Sequence, residues 1–326
     1  MGADGLESGP EGLGGRVRDG LVREIERSGA FAGDRAWREA FEAVPRHLFV
    51  PYYYVGVAGG FERVWGEDPD PRAREDWLRG AYADTPLATR VRDGELLSSS
   101  SQPSLMAAML VELDVRDGHR VLEIGAGTGY NAALLAHRLG DVRVTTIDLD
   151  VEITEAARRH LDRAGYHPAV VTGDGARGVP ERAPYDRIIA TCTLTTIPPA
   201  WLPQCAPGAR ILAPLATGLI ALRVSGPGHA EGNFLHTPAY FVPLRGGTSP
   251  APEPEPFDGL PRGARRQDLF RFLLTLTAGR LDPGDAYALW EREGRPERER
   301  YGVTVADGRA RAWLDDPEGP YVWPLP

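Results

Sequence analysis

The segment Glu123-Ile124-Gly125-Ala126-Gly127-Thr128-Gly129-Tyr130 sets glycines at alternate positions behind a carboxylate. Glycine lets a backbone approach a ligand closely. A loop between an apolar run and a helical stretch is where α/β proteins hold nucleotides. A dinucleotide fingerprint needs its third glycine three positions after the second. Here Tyr130 stands at that position and the third glycine is Gly129, which disfavours NAD. Asp148 closes the next apolar run, where an acid can accept from both hydroxyls of a ribose. Asp174, within Gly173-Asp174-Gly175, closes the third and can accept from an adenine amino group. Singly, such a loop can be a plain turn and such an Asp a helix cap. In this order on successive runs they describe a nucleoside site. Upstream, Ser98-Ser99-Ser100-Ser101-Gln102-Pro103 leads into a helical pattern over Leu105–Leu113. The sequence predicts Ser101 as its N-cap and Pro103 in its first turn. A helix start of this kind suits a carboxylate.

These residues need a scaffold that presents strand ends. Short apolar runs at Val121–Ile124, Val142–Ile147, Ala169–Thr172, Arg187–Ala190 and Arg210–Pro214 alternate with helical patterns at Asn131–Leu139 and Glu152–Ala164. That alternation predicts an α/β fold with a doubly wound, mostly parallel sheet. Leu21–Phe49 reads as helical, and residues 56–79 as an insertion between elements. The expected organisation is a flexible arm over 1–19, a ligand-binding domain over 20–245, a proline-rich linker over 246–263 and a C-terminal α+β module over 264–326. Within that module Asp307-Gly308 signals a hairpin. The apolar tail Tyr321-Val322-Trp323-Pro324 is expected to pack on the core or line a groove.

Composition narrows the chemistry. The chain has 326 residues and a formal charge of −9, and every basic residue is Arg. Schiff-base, lysine-base and P-loop mechanisms are excluded. Bulk charge argues against a nucleic-acid or anionic-membrane partner. Cys192 and Cys205 lack CxxC spacing and the seven His lack ligand spacing, so no metal site is expected. No apolar run is long enough for a membrane helix and no signal core is present, which points to the cytoplasm.

The ExGxGxG loop resembles the first motif of class I S-adenosylmethionine (SAM) methyltransferases. Other stretches are more specific. Ala43-Val44-Pro45-Arg46-His47-Leu48-Phe49-Val50-Pro51, Ala81-Tyr82-Ala83-Asp84-Thr85-Pro86-Leu87 and Ser101-Gln102-Pro103 resemble motifs of the protein-L-isoaspartate O-methyltransferases. So do Ala183-Pro184-Tyr185-Asp186, Pro207-Gly208 and Tyr240–Leu244, and the likeness spans roughly residues 20–245. It implies SAM as cofactor, S-adenosylhomocysteine as product, and a peptide or protein substrate bearing Asp or isoAsp. By position it assigns Ser101 and Gln102 to the transfer step. It assigns Ser100, Glu123, Gly125, Ala126, Gly127, Tyr130, Asp148, Leu149, Asp174 and Gly175 to the cofactor pocket. The long connector at 56–79, the serines before Gln102 and the residues after 264 depart from the family pattern. They resemble an actinobacterial branch that methylates an ordinary Asp of ribosomally made peptides, leading to an aspartimide. That reading is placed ahead of isoaspartate repair, with a non-catalytic SAM-binding module as a third. The oligomeric state is left open.

Overall fold

The computed structural model describes residues 10–92, 94–246, 260, 261 and 263–326. Most of the proline-rich stretch 246–263 lies outside the described residues. In chain order the elements are α1 (Pro10–Arg27), α2 (Arg35–Ala43), β1 (Tyr52–Val57), β2 (Gly60–Trp65), α3 (Pro71–Ala81), β3 (Leu87–Arg92), β4 (Glu95–Ser100) and α4 (Pro103–Glu112). Next come β5 (Val121–Ile124), α5 (Tyr130–Leu139), β6 (Val144–Asp148), α6 (Val151–Ala164) and β7 (Ala169–Thr172). Then follow β8 (Tyr185–Ala190), β9 (Cys205–Leu215), β10 (Gly218–Gly226), β11 (His229–Pro238), α7 (Asp268–Leu276), α8 (Pro283–Arg292), β12 (Tyr301–Ala306), β13 (Arg309–Leu314) and β14 (Val322–Pro324). The class is α/β, as the alternation predicts.

The chain divides into two compact units. The first holds residues 1–119 and 126–173, the second 120–125 and 174–326. In the first, β6 and β7 run parallel, and a separate antiparallel sheet has the order β2-β1-β3-β4. Its core gathers Ile25, Trp37, Phe41, Phe49 and Tyr130. The expected flexible arm is helical from Pro10 onward. Leu21, Val22 and Ile25 of α1 are buried, and burying that stripe outweighs the poor helix propensity of its glycines. The expected insertion also has structure, for it supplies β2 and α3. Trp77 of α3 donates from Nε1 to the Val50 carbonyl at 3.0 Å. Its ring lies so close to Gly66 that an added Cβ would come within 2.7 Å.

In the second unit β5, β8 and β9 are parallel, and β9 to β14 continue antiparallel in sequence order. The region after 264 extends this sheet. β12 pairs with β11, and Phe272 of α7 packs edge-on against Phe234 and Tyr301. Asp307 and Gly308, both at positive φ, close the β12–β13 hairpin, the twist that a two-residue loop requires. The apolar tail packs as expected: it forms β14 beside β13, with Trp323 buried.

Candidate active site

The glycine loop follows β5. Buried Glu123 sits on that strand. Gly125 has φ +98°, and a Cβ there would meet Thr191 Oγ1 at 2.7 Å. The Thr191 hydroxyl donates to the Gly125 carbonyl at 2.8 Å. In the same unit Asp174 caps a short turn, accepting from the Ala176 amide at 2.9 Å. A Cβ on Gly175 would strike Ile124 at 2.7 Å. Glu123, Gly125, Asp174 and Gly175 are thus held by their own unit, and both glycines are dictated by close approach.

The first unit supplies the other half of the loop. The Ala126 amide donates to the Ile147 carbonyl at 3.1 Å, ending the loop on β6. Gly127, at φ +51°, donates its amide to Asp148 Oδ2 at 3.3 Å. The other Asp148 oxygen accepts from the Asp150 amide at 3.3 Å. Leu149 between them is exposed. A Cβ on Gly127 would point at the Ser99 carbonyl, 3.6 Å away, and the Ser98 hydroxyl, 3.9 Å away. The serine run of β4 therefore lies along the loop. Tyr130 has a different place from the one expected. Its ring is buried against Phe41 and Phe49, and burial pushes its phenol pKa upward. Its side chain is part of the first unit's core.

Two residues that the sequence reading left without a role hold the serine run. Arg46, fully buried, sends Nη1 to the carbonyls of Ala81 and Ala83 at 2.9 and 3.0 Å. Its Nη2 reaches the Thr85 carbonyl at 3.3 Å, Ser100 Oγ at 3.3 Å and the Ser101 carbonyl at 3.2 Å. Burial lowers its pKa to about 10, which leaves it charged at neutral pH. The Ser100 hydroxyl is buried as an acceptor in this cluster.

Asp84 corrects the capping expectation. The N-cap of α4 is Gln102, not Ser101, with Pro103 in the first turn as expected. The acceptor for the helix start is Asp84, whose Oδ1 takes the Ser104 amide at 2.8 Å. Gln102 Nε2 donates to Asp84 Oδ2 at 3.3 Å and to Ser104 Oγ at 3.1 Å. A carboxylate thus already sits at this helix start and takes the first N–H that α4 has to offer. Both Arg46 and Asp84 stand inside motifs quoted above, which is the signal that could have found them.

Comparison with known proteins bears on this arrangement. The model of the family "Protein-L-isoaspartate(D-aspartate) O-methyltransferase (PCMT)" matches residues 72–246. A protein-L-isoaspartate O-methyltransferase of Hyperthermus butylicus is 35% identical over 245 residues, covering 71% of this chain and 89% of its own. The chain belongs to this family. A further member, from Methanopyrus kandleri, is 36% identical over 203 residues, 61% of this chain and 77% of its own. A solved protein-L-isoaspartate O-methyltransferase superposes with TM-score 0.64 at 23% identity, over 92% of this chain and 100% of its own. It leaves 8% of this chain unmatched, and residues 264–326 make up more than twice that share. The C-terminal elements, read from sequence as a departure from the family, are therefore shared in large part by that fold.

The protein is a SAM-dependent carboxyl O-methyltransferase, and the residues present fit the cofactor. Gly125 and Gly127 leave the loop bare at positive φ, and Asp148 is anchored beside it. When bound, the sulfonium supplies an electrophilic methyl group. No helix among the described residues is long and apolar enough to cross a membrane. His236, Glu297 and Glu299 bring ligand atoms within 4.8 Å of one another at an exposed position, a grouping that sequence spacing does not show.

Proposed function

We propose that the enzyme methylates the side-chain carboxylate of isoaspartyl residues in peptides and proteins, with Ser101 aligning the nucleophile. The observation carrying this reading is the placement of Ser98 and Ser99 beside Gly127, with the next two serines, Ser100 and Ser101, under the grip of Arg46. The nucleophile has a reference pKa of about 4 and is ionised at pH 7, so no general base is required. What the protein must contribute is alignment, and good orientation is worth roughly 7–11 kcal/mol. A single hydroxyl suits the task, because a carboxylate held by many strong donors is a poorer nucleophile. Asp84 already occupies the Ser104 amide at the start of α4, which removes one such donor.

The cofactor assignment within this proposal follows the two halves of the loop. Asp148 accepts from the ribose hydroxyls, with Leu149 beside it. Asp174 accepts from the adenine amino group, with Gly175 keeping the floor flat. Glu123, Gly125, Ala126 and Gly127 shape the loop that faces the methionine end.

Tailoring of an ordinary Asp in a ribosomally made peptide is the rival substrate class. Its support is the long connector and the serine run. The C-terminal elements no longer favour it, since a solved family member shares most of them. The deciding assay compares methyl transfer to paired peptides that differ only in Asp or isoAsp, read as base-released methanol. Transfer to the isoAsp peptide supports the proposal. Transfer to the Asp peptide alone, followed by succinimide formation, sinks it.

A further inference from the structure

A cavity of about 390 Å³ opens in the first unit next to Gly127, Thr128 and Ser98. Its wall is the β1–β2 hairpin on one side and α6 on the other. The hairpin register pairs Tyr52 with Trp65, Tyr54 with Arg63 and Gly56 with Phe61. Residues paired directly across, and those two apart along a strand, share a face. One face of the ribbon therefore reads Trp65, Tyr52, Arg63, Tyr54 and Phe61, from the cavity outward. Tyr52 and Phe61 are exposed on it. The Arg63 guanidinium lies 5.1 Å from the Trp65 ring centroid and 5.7 Å from that of Tyr52. Stacking of this kind holds a cation in place without neutralising it. Trp65 is itself fixed, donating from Nε1 to Asp68 at 3.0 Å.

The cations of the cavity fall into two groups. Arg90 is committed to Glu152 and faces Asp150. Arg63, Arg159 and Arg163 also line the cavity, and none of the three forms an ion pair among the described residues. Two acids, Glu67 and Glu152, stand against four arginines there. This is a positive, aromatic recess in a chain whose net charge is −9, and it opens on the loop where transfer is proposed.

We propose that this recess is a substrate subsite for acidic side chains flanking the methylated residue. The ribbon face carries the peptide backbone and apolar groups, and Arg63, Arg159 and Arg163 receive the carboxylates. The inference rests on the proposed function for the identity of the peptide, but not for the charge preference itself.

The test uses two fluorescein-labelled peptides centred on isoAsp, one with two Glu on each side and one with two Lys. Binding is read by anisotropy in the presence of S-adenosylhomocysteine, and transfer is read separately. The acidic peptide should bind about tenfold or more tightly, since like-charge juxtaposition is costly. The difference should shrink between low and high salt. In R63Q/R159Q/R163Q the ratio should fall toward one, and in R159E/R163E it should invert. Retained S-adenosylhomocysteine binding in both variants reports an intact fold. Equal binding of the two peptides by the parent overturns the subsite, as does an unchanged ratio in the variants. Displacement of the acidic peptide by an oligothymidylate at equal concentration overturns it in favour of nucleic acid. Charge-selective binding without transfer to either peptide refutes the isoaspartyl reading and leaves the subsite standing.

Discussion

Arg46 Nη2 donates to the Ser100 hydroxyl at 3.3 Å, tying a turn that follows α2 to the strand that carries the serine run. The same guanidinium meets four carbonyls, from Ala81, Ala83, Thr85 and Ser101. Removing it orphans buried acceptors, each costing roughly 1–3 kcal/mol. Arg46→Met should lose about 3 kcal/mol or more, which lowers Tm by roughly 6–12 °C. Arg46→Lys should recover only part of this, because an ammonium cannot span the fork. Thermal melts of the three proteins check the order. A melt of Arg46→Met matching the parent would show that the cluster is dispensable.

Ser101→Ala should leave S-adenosylhomocysteine affinity unchanged by calorimetry. Methyl transfer should fall about a hundredfold, the cost of misaligning reacting groups. The parent rate should be flat from pH 6.5 to 8.5, because the nucleophile is already ionised. A rate that climbs tenfold across that range would demand a titrating base and refute the mechanism.

Asp148 should govern cofactor affinity. Hydrogen bonds to charged groups contribute about 1.5–3 kcal/mol, so Asp148→Ala should weaken S-adenosylhomocysteine binding roughly tenfold to a hundredfold. Asp148→Asn should weaken it less. Calorimetry with both variants tests the order, and parent-like binding by Asp148→Ala would remove the acid from the pocket.

Gly127→Ala combines two effects. A non-glycine residue at φ +51° costs about 1–2 kcal/mol. The added methyl also points toward the Ser99 carbonyl. Cofactor affinity should fall more than Tm does. A stability loss with unaltered affinity would mean that the loop does not face the ligand.

His47 and His160 predict an acid-sensitive fold. Burial depresses both below the ordinary histidine value, and Arg163 and Arg18 add to the effect at His47. The unfolded chain therefore binds protons before the folded one does. Their stabilising contribution is complete above about pH 6.5 and declines as pH falls through the folded values. Urea midpoints from pH 7.5 to 5.5 should drop in the parent and drop less in His47→Gln/His160→Gln. Parallel slopes would sink the assignment.

The parallel strands were legible as short apolar runs, and β5, β6 and β7 also end at a glycine or an acid. The C-terminal hairpin was legible because Asp307-Gly308 admits few other conformations. The β2-β1-β3-β4 sheet was not. Gly56 and Gly60 break the alternation of β1 and β2, and the ribbon is specified by cross-strand pairing rather than by its own pattern. The burial of the Tyr130 ring was hidden for a related reason: only Phe41 and Phe49, eighty or more positions away, make it core. Arg46 and Asp84 were visible as motif letters, but their work depends on carbonyls and amides that distant segments bring to one point.

The outermost strand of the second unit's sheet is only three residues long and ends in Pro324, which has no N–H to offer. A fresh strand laid beside it would find a short, partly donor-less border. That border resists stacking of one copy on another, so association through it is disfavoured before any binding surface is considered.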